Sequence, residues 1–303
     1  MTNIQLKSVK LSNGEILGYR EGEGGEKPLL LIHGNMTSSK HWDILIENLA
    51  SDYKIYAVDM RGFGISTYNK RVSSIKEFAD DVKLFVDELG LQDFAIAGWS
   101  TGGAVGMQFV ADNPGLCNKL ILLASASTRG YPIYGLNAAG QMDPQNRLKT
   151  LDDIHKDLAR TIPIQTAYDT RNKEVLKGIW NALIYRDHQP SEEHYDEYLE
   201  DMLTQRNLAD IYYSLNTFNI SEHDNGLVKG NGLLKNIHIP VLVLRGDRDL
   251  VVNDNMTKEI IEDLGEIATY VELEGCGHSP LIDNLDMLIH VMDQFLRQKE
   301  LTK

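Results

Sequence analysis

Gly98-Trp99-Ser100-Thr101-Gly102-Gly103 combines a hydroxyl nucleophile with the small residues needed to turn a chain sharply around it. An apolar run, Phe94–Ala97, precedes it, and a helical pattern from Ala104 to Ala111 follows. In that strand–turn–helix setting, Gly-x-Ser-x-Gly describes an elbow that strains the serine backbone and projects its hydroxyl above a sheet. The start of the helix would offer backbone N–H groups to a developing anion. A serine hydroxyl is a poor nucleophile at neutral pH unless a base removes its proton. Of the nine histidines, His278 alone follows a late strand-like run in a Gly-rich loop, Gly275-Cys276-Gly277-His278. An imidazole there can take the proton and return it to a leaving group. A carboxylate would orient it and stabilise its cation. Arg245-Gly246-Asp247-Arg248-Asp249 offers two, after another strand-like run. Ser, Asp and His in this order, each at the C-terminal end of a parallel strand, converge on the sheet edge where open α/β sheets bind ligands.

The elements that must position these residues can be read as well. Pro28–Ile32, Lys54–Val58, Phe94–Ala97, Leu120–Leu123, Val241–Leu244 and Thr269–Leu273 are short apolar or β-branched runs, each followed by Gly or Asp and a helical pattern. They predict a parallel sheet covered on both faces. Ile4–Leu11 and Glu15–Arg20 flank Ser12-Asn13-Gly14, a hairpin signal. Ser74-Ile75-Lys76-Glu77 reads as a capping box opening a helix to Leu89, with Gly90 as its stop. Phe78, Val82, Phe85, Val86 and Leu89 share one face of it. Leu281, Leu285, Leu288, Ile289, Met292, Phe295 and Leu296 make another helical stripe, with His290 inside it as a structural residue. Between about Thr128 and Asn236 the alternation stops. This stretch has no strand-like run, only helical patterns with scattered aromatics such as Trp180, Tyr198 and Tyr212. It predicts a helical cap at residues 128–235, inserted in a core made of residues 1–127 and 236–303.

Composition narrows the partners. The 303 residues are 42% hydrophobic and 24% charged, ordinary for a globular protein, and carry a net charge of -14. A polyanion binder needs a basic face, so no nucleic-acid partner is expected. An acidic surface also disfavours anionic membranes. No apolar run approaches the ~20 residues of a spanning helix, and Met1 to Lys10 lacks the apolar core of a signal peptide. Cys117 and Cys276 are too few for a disulfide framework or a zinc site, so reduced thiols and a cytoplasmic location are expected. Glu192-Glu193-His194-Tyr195-Asp196-Glu197 resembles a metal cluster only superficially. It reads as a solvated helix face, with the charges from Glu192 to Asp201 on the wet side. Gly62-Phe63-Gly64 meets Thr67, and Gly102-Gly103 meets Ala104, where dinucleotide patterns need glycine. No cofactor is expected.

Taken together, four motifs resemble those of the α/β-hydrolase superfamily, over nearly the whole chain. They are His33-Gly34-Asn35 after a strand, Asp59-Met60-Arg61-Gly62-Phe63-Gly64-Ile65-Ser66, the elbow, and the Gly-x-x-Asp plus Gly-His pair. The resemblance implies an α/β fold with a mostly parallel eight-stranded sheet, helices on both faces and an inserted helical cap. It implies a triad of Ser100, Asp249 and His278. The family spacing, counted from Gly246, lands on Asp249 rather than Asp247. The earlier acid position of some members reads Ser125-Ala126-Ser127, with no carboxylate. The oxyanion hole would come from the backbone N–H groups of Asn35 and Thr101, and His33 would serve backbone architecture. The Asn35 side chain would contact substrate or shape its turn. Met36, Phe63 and Trp99 are candidates for lining an acyl pocket, Trp99 equally for packing under the elbow.

Ser100 stands where haloalkane dehalogenases and epoxide hydrolases place Asp, although His33-Gly34-Asn35 with Thr37-Ser38-Ser39 looks like a dehalogenase loop. Thr101 stands where prolyl aminopeptidases favour Trp. The resemblance therefore implies a carboxylesterase-like enzyme, cleaving a small-molecule or oligomeric ester, lactone or thioester through an acyl-enzyme. The elbow and the His-Gly-Asn loop also resemble intracellular poly(3-hydroxybutyrate) depolymerases of spore-forming bacteria, which implies hydroxyalkanoate esters. Two alternatives stay open. One is a cofactor-free perhydrolase, haloperoxidase or lyase member. The other is a slow-turnover member that senses a ligand.

Overall fold

The structure is a computed structural model that describes residues 3–49 and 52–298. The expected hairpin opens it. Strands β1 (Ile4–Lys10) and β2 (Ile16–Gly22) pair antiparallel, with Lys10 opposite Ile16. Gly14 turns at φ +92, a conformation that costs other residues energy. Strands β3 (Lys27–Ile32), β4 (Tyr53–Val58), β5 (Phe94–Trp99) and β6 (Cys117–Leu123) follow. A separate two-stranded ribbon, β7 (Tyr134–Leu136) and β8 (Met142–Arg147), comes next. The sheet resumes with β9 (Val241–Gly246) and β10 (Ala268–Leu273). The eight-stranded order is β1-β2-β4-β3-β5-β6-β9-β10, and every pairing beyond β2–β4 is parallel.

Helices cover both faces because the central strands β3, β5, β6 and β9 are apolar on both. Successive strand residues point to opposite sides. Leu30, Ile32, Ile96, Leu122 and Val243 face one cluster, which holds Phe78, Val82 and Phe85 of α2 (Ile75–Leu89). Leu29, Leu31, Ala97, Leu123 and Leu244 face the other, with Leu45 and Ile46 of α1 (Asp43–Asn48). Helix α3 (Thr101–Asp112) sends Phe109 into the α2 cluster. Full burial of a side chain of this size contributes ~1.5–3 kcal/mol. The exposed Lys76–Asp80 pair on α2, 2.6 Å apart, adds at most ~1 kcal/mol, so the apolar face dominates.

The expected capping box at Ser74 is only half formed. Ser74 accepts from the Glu77 N–H, but the Glu77 carboxylate reaches past it to the N–H and hydroxyl of Ser73, at 2.6 and 2.8 Å.

The insertion departs from an all-helical reading at β7–β8. Strand β8 is polar and mostly exposed, and β7 is a short, partly buried Tyr-Gly-Leu. Their turn is set by Asn137, whose side-chain oxygen accepts from the N–H groups of Ala139 and Gln141. Turn chemistry forms this ribbon without an apolar pattern. Five helices follow: α4 (Leu151–His155), α5 (Thr161–Asp169), α6 (Lys173–Leu183), α7 (Glu192–Met202) and α8 (Leu208–Thr217). Trp180, Tyr185, Tyr195 and Tyr198 belong to the α1 cluster, and Ile211 and Leu215 to the α2 cluster.

Beyond β9, α9 (Asp254–Leu264) leads to β10. The C-terminal stripe is two helices, not one: α10 (Pro280–Asp283) and α11 (Leu285–Arg297). Asn284 divides them by capping the second, accepting from the Met287 N–H at 3.1 Å.

Glu192, Glu193 and Glu197 of α7 are exposed, as expected of a wet face, but Asp201 turns inward. One carboxylate oxygen accepts from the Ser38 hydroxyl at 2.5 Å, and the other lies 3.1 Å from His41 Nδ1, off the line of a hydrogen bond. The His41 ring stacks on Tyr198 at 4.4 Å. Burial alone would raise the Asp201 pKa. Pairing with His41, the Ser38 hydroxyl and the charge of Arg20 outweigh it and hold the group below its ordinary range. A depressed carboxylate stabilises the fold fully above its unfolded pKa and loses that contribution as pH falls toward the folded value. Asp201→Asn should therefore cost about 1–3 kcal/mol at pH 7, and the gap to the native protein should close as pH falls below ~4. Urea unfolding at both pH values checks this; a gap independent of pH would exclude Asp201 as the titrating group.

Candidate active site

Strand β3 lies between β4 and β5: the chain leaves β3 for β4 on one side, then crosses back to β5 on the other. The crevice at such a switch point lies beyond the C-terminal strand ends. Here Ile32 pairs with Gly98, which starts the loop at His33 and the elbow at Trp99 side by side. Ser100 takes φ +55 and ψ -113, a backbone region that costs a residue with a side chain ~1–3 kcal/mol. Its N–H donates to Leu123 O at 2.9 Å, and its carbonyl accepts from Gly103 and Ala126. Two glycines let the turn close. A β-carbon on Gly98 would lie 2.3 Å from Gly102 O, and one on Gly102 would lie 2.1 Å from Ile32 O.

Asp249 is buried in the loop after β9, and Asp247 is exposed. One oxygen of Asp249 accepts from the N–H groups of Val251 and Val252, at 2.7 and 2.9 Å. The other lies 2.9 Å from His278 Nδ1. A carboxylate only accepts, so Nδ1 donates and Nε2 is left as the basic nitrogen. The His278 loop is fastened on several sides. Gly277 N–H donates to Asp283 at 2.7 Å, Arg248 N–H donates to Cys276 O at 2.9 Å, and Trp99 Nε1 donates to His278 O at 2.9 Å. The Trp99 ring also sits 5.9 Å from the His278 ring and edge-on to Trp42 at 6.2 Å. Trp99 thus packs beneath the elbow and holds the histidine loop.

Thr101 begins α3, where helix geometry leaves N–H groups unpaired. Among the described residues, neither its N–H nor that of Asn35 donates to a protein acceptor. Met36 is buried at φ +62 in the apolar cluster that holds Trp99. Phe63 lies in the opposite cluster, enclosed and edge-on to His33 at 4.7 Å. His33 Nε2 accepts from the Met60 N–H, which makes Nδ1 the donor to Gly34 O at 2.7 Å. Burial pushes its pKa down to about 4, so it stays neutral and fixes the loop.

Residues of the insertion that carry no sequence signal complete this corner. Gln205, between α7 and α8, donates from Nε2 to Asn35 Oδ1 at 2.8 Å and Asn207 Oδ1 at 3.0 Å, and accepts from the Tyr168 hydroxyl at 2.9 Å. The Asn35 side chain is therefore held by the insertion. Its neighbours Thr204 and Arg206 bond to the backbone of Gly64 and Gly62. Asp43, His194 and Glu197 approach one another as metal ligands do, but the Lys40 ammonium lies between two of them, 2.9 Å from Asp43 and 2.6 Å from Glu197. No helix among the described residues is long and apolar enough to cross a membrane.

Comparison with known proteins agrees with this fold. A model of the alpha/beta hydrolase fold matches residues 27–285. The AB hydrolase superfamily protein YisY of Bacillus subtilis is 30% identical over 46% of this chain, which spans only 56% of that relative's length. A pimeloyl-acyl-carrier-protein methyl ester esterase of Legionella pneumophila is 24% identical over 92% of this chain and 98% of its own. Among solved structures, an esterase from Exiguobacterium antarcticum superposes with a TM-score of 0.73 at 15% identity, over 96% of this chain and 99% of the other. Fold, strand order and family model together establish that this chain belongs to the alpha/beta hydrolase fold family.

Proposed function

We propose that the protein is a carboxylic ester hydrolase that works through an acyl-enzyme on Ser100. The observation that carries this reading is the buried Asp249–His278 hydrogen bond on the sheet edge that also presents the strained Ser100. His278 Nε2 takes the Ser100 proton as Oγ attacks the ester carbonyl. The resulting oxyanion meets the N–H groups of Asn35 and Thr101, and its collapse expels the alcohol, which receives the proton from His278. Water, activated by the same imidazole, then releases the acid and restores Ser100. Asp249 stays ionised throughout and steadies the imidazolium. Relatives and structural neighbours named as esterases support an ester as substrate. The two free, buried cysteines fit a reducing, cytoplasmic setting.

Trp99 carries the likeness to hydroxybutyrate depolymerases, yet its indole is engaged by His278 O. It supports the base rather than a particular acyl chain. A panel of esters of graded chain length, with lactones and hydroxybutyrate oligomers included, assigns the preference.

With p-nitrophenyl butyrate, Ser100→Ala or His278→Ala should lower kcat by at least ~10³-fold with KM little changed. Release that stops after one equivalent of p-nitrophenol in the native protein would mark a sensor instead. Asp249→Asn should cost up to ~10⁴-fold in kcat, because the imidazole loses its oriented tautomer. Exposed Asp247→Asn should leave kcat unchanged, and the reverse pattern would reassign the acid.

A further inference from the structure

The loop after β3 stores strain at Met36, a non-glycine residue at φ +62. Such a conformation persists only where its surroundings over-determine it. The loop is held from two directions, through one peptide and one side chain. The Gly34 carbonyl accepts from His33 Nδ1 at 2.7 Å and from the Thr37 hydroxyl at 2.9 Å. That carbonyl and the Asn35 N–H belong to one planar trans peptide, so fixing the oxygen aims the N–H the opposite way. The Asn35 side chain is fixed separately, by Gln205 at 2.8 Å. The Gln205 amide has one orientation, because its oxygen accepts from Tyr168 and its nitrogen donates to both Asn35 and Asn207. Gln205 is 5% exposed, and its partners leave its head group no alternative arrangement.

We propose that Gln205 is a positioning residue through which the seated insertion aims the Asn35 N–H at the developing oxyanion. The inference rests on the reading above that this N–H binds the oxyanion. His33 and Thr37 set the Gly34–Asn35 peptide and Gln205 holds the Asn35 side chain, so the N–H keeps its full aim only while both grips are in place.

The test uses Gln205→Glu, which keeps the shape and the acceptor for Tyr168 but removes the Nε2–H donors. kcat for p-nitrophenyl butyrate should fall about ten- to hundredfold, as expected for a slightly misplaced group, while KM changes less than about threefold. The affinity for butylboronic acid, whose tetrahedral serine adduct places an oxygen in the hole, should fall by the same factor as kcat/KM. Tyr168→Phe removes only the hydroxyl that orients the amide, so it should show a smaller loss of the same kind and decides the matter if Gln205→Glu does not fold. Folded variants with kcat and boronate affinity within about twofold of the native protein would overturn the proposal. So would a loss of kcat with undiminished boronate affinity. If the native protein itself formed no boronate adduct, the acyl-enzyme reading would fail first.

Discussion

The start of α3 lies so close against the end of β3 that a single β-carbon on Gly102 would sit 2.1 Å from the Ile32 carbonyl oxygen. Much of the site follows from that contact. A helix this near can be entered only through a tight turn, which places Ser100 in a backbone region other residues avoid. The same proximity puts the unpaired first N–H of α3 beside the loop that leaves β3, so Thr101 and Asn35 can face one point. It also turns Trp99 beneath the elbow, where its indole meets the His278 carbonyl. Strain at the serine is tolerated because the sheet underneath is buried on both faces, and that burial far exceeds the ~1–3 kcal/mol of one strained residue.

What could be read from the residues was whatever depends on neighbours in sequence. The Asn13-Gly14 turn and the elbow are short-range devices, and each stands where its spacing places it. The choice between two aspartates rested on the spacing of the family that the chain resembles; the structure puts the Asp249 carboxylate on His278 and leaves Asp247 at the surface. What could not be read depends on distant partners or on competing local bonds. Gln205 meets Asn35 across 170 positions, and no pattern in a helical segment marks that glutamine. Asp201 looks like one more acidic residue on a wet helix until Ser38 and His41 are folded beneath it. The β7–β8 ribbon and the break at Asn284 come from asparagine side chains capturing backbone N–H groups, a choice that hydrophobic periodicity does not register.

The net charge of -14 also takes on a structural meaning. Several of the carboxylates have structural partners inside the protein. Asp59 accepts from the N–H groups of Ser39 and Ile65, and Asp81 pairs with Arg61. Asp201 and Asp249 hold histidines. These acidic groups act as acceptors for loop backbones and ring nitrogens, so the acidic composition does not by itself describe the ligand.

The bond from Trp99 to the His278 carbonyl spans 179 positions of the chain. During synthesis the elbow strand is made long before the loop that carries the imidazole. A nascent chain lacking β9 and β10 has a serine without its base and acid, so the chemistry proposed for the folded protein would be silent in it. Activity would thus report completion of the sheet, because the last strands supply both the edge of the core and the proton acceptor.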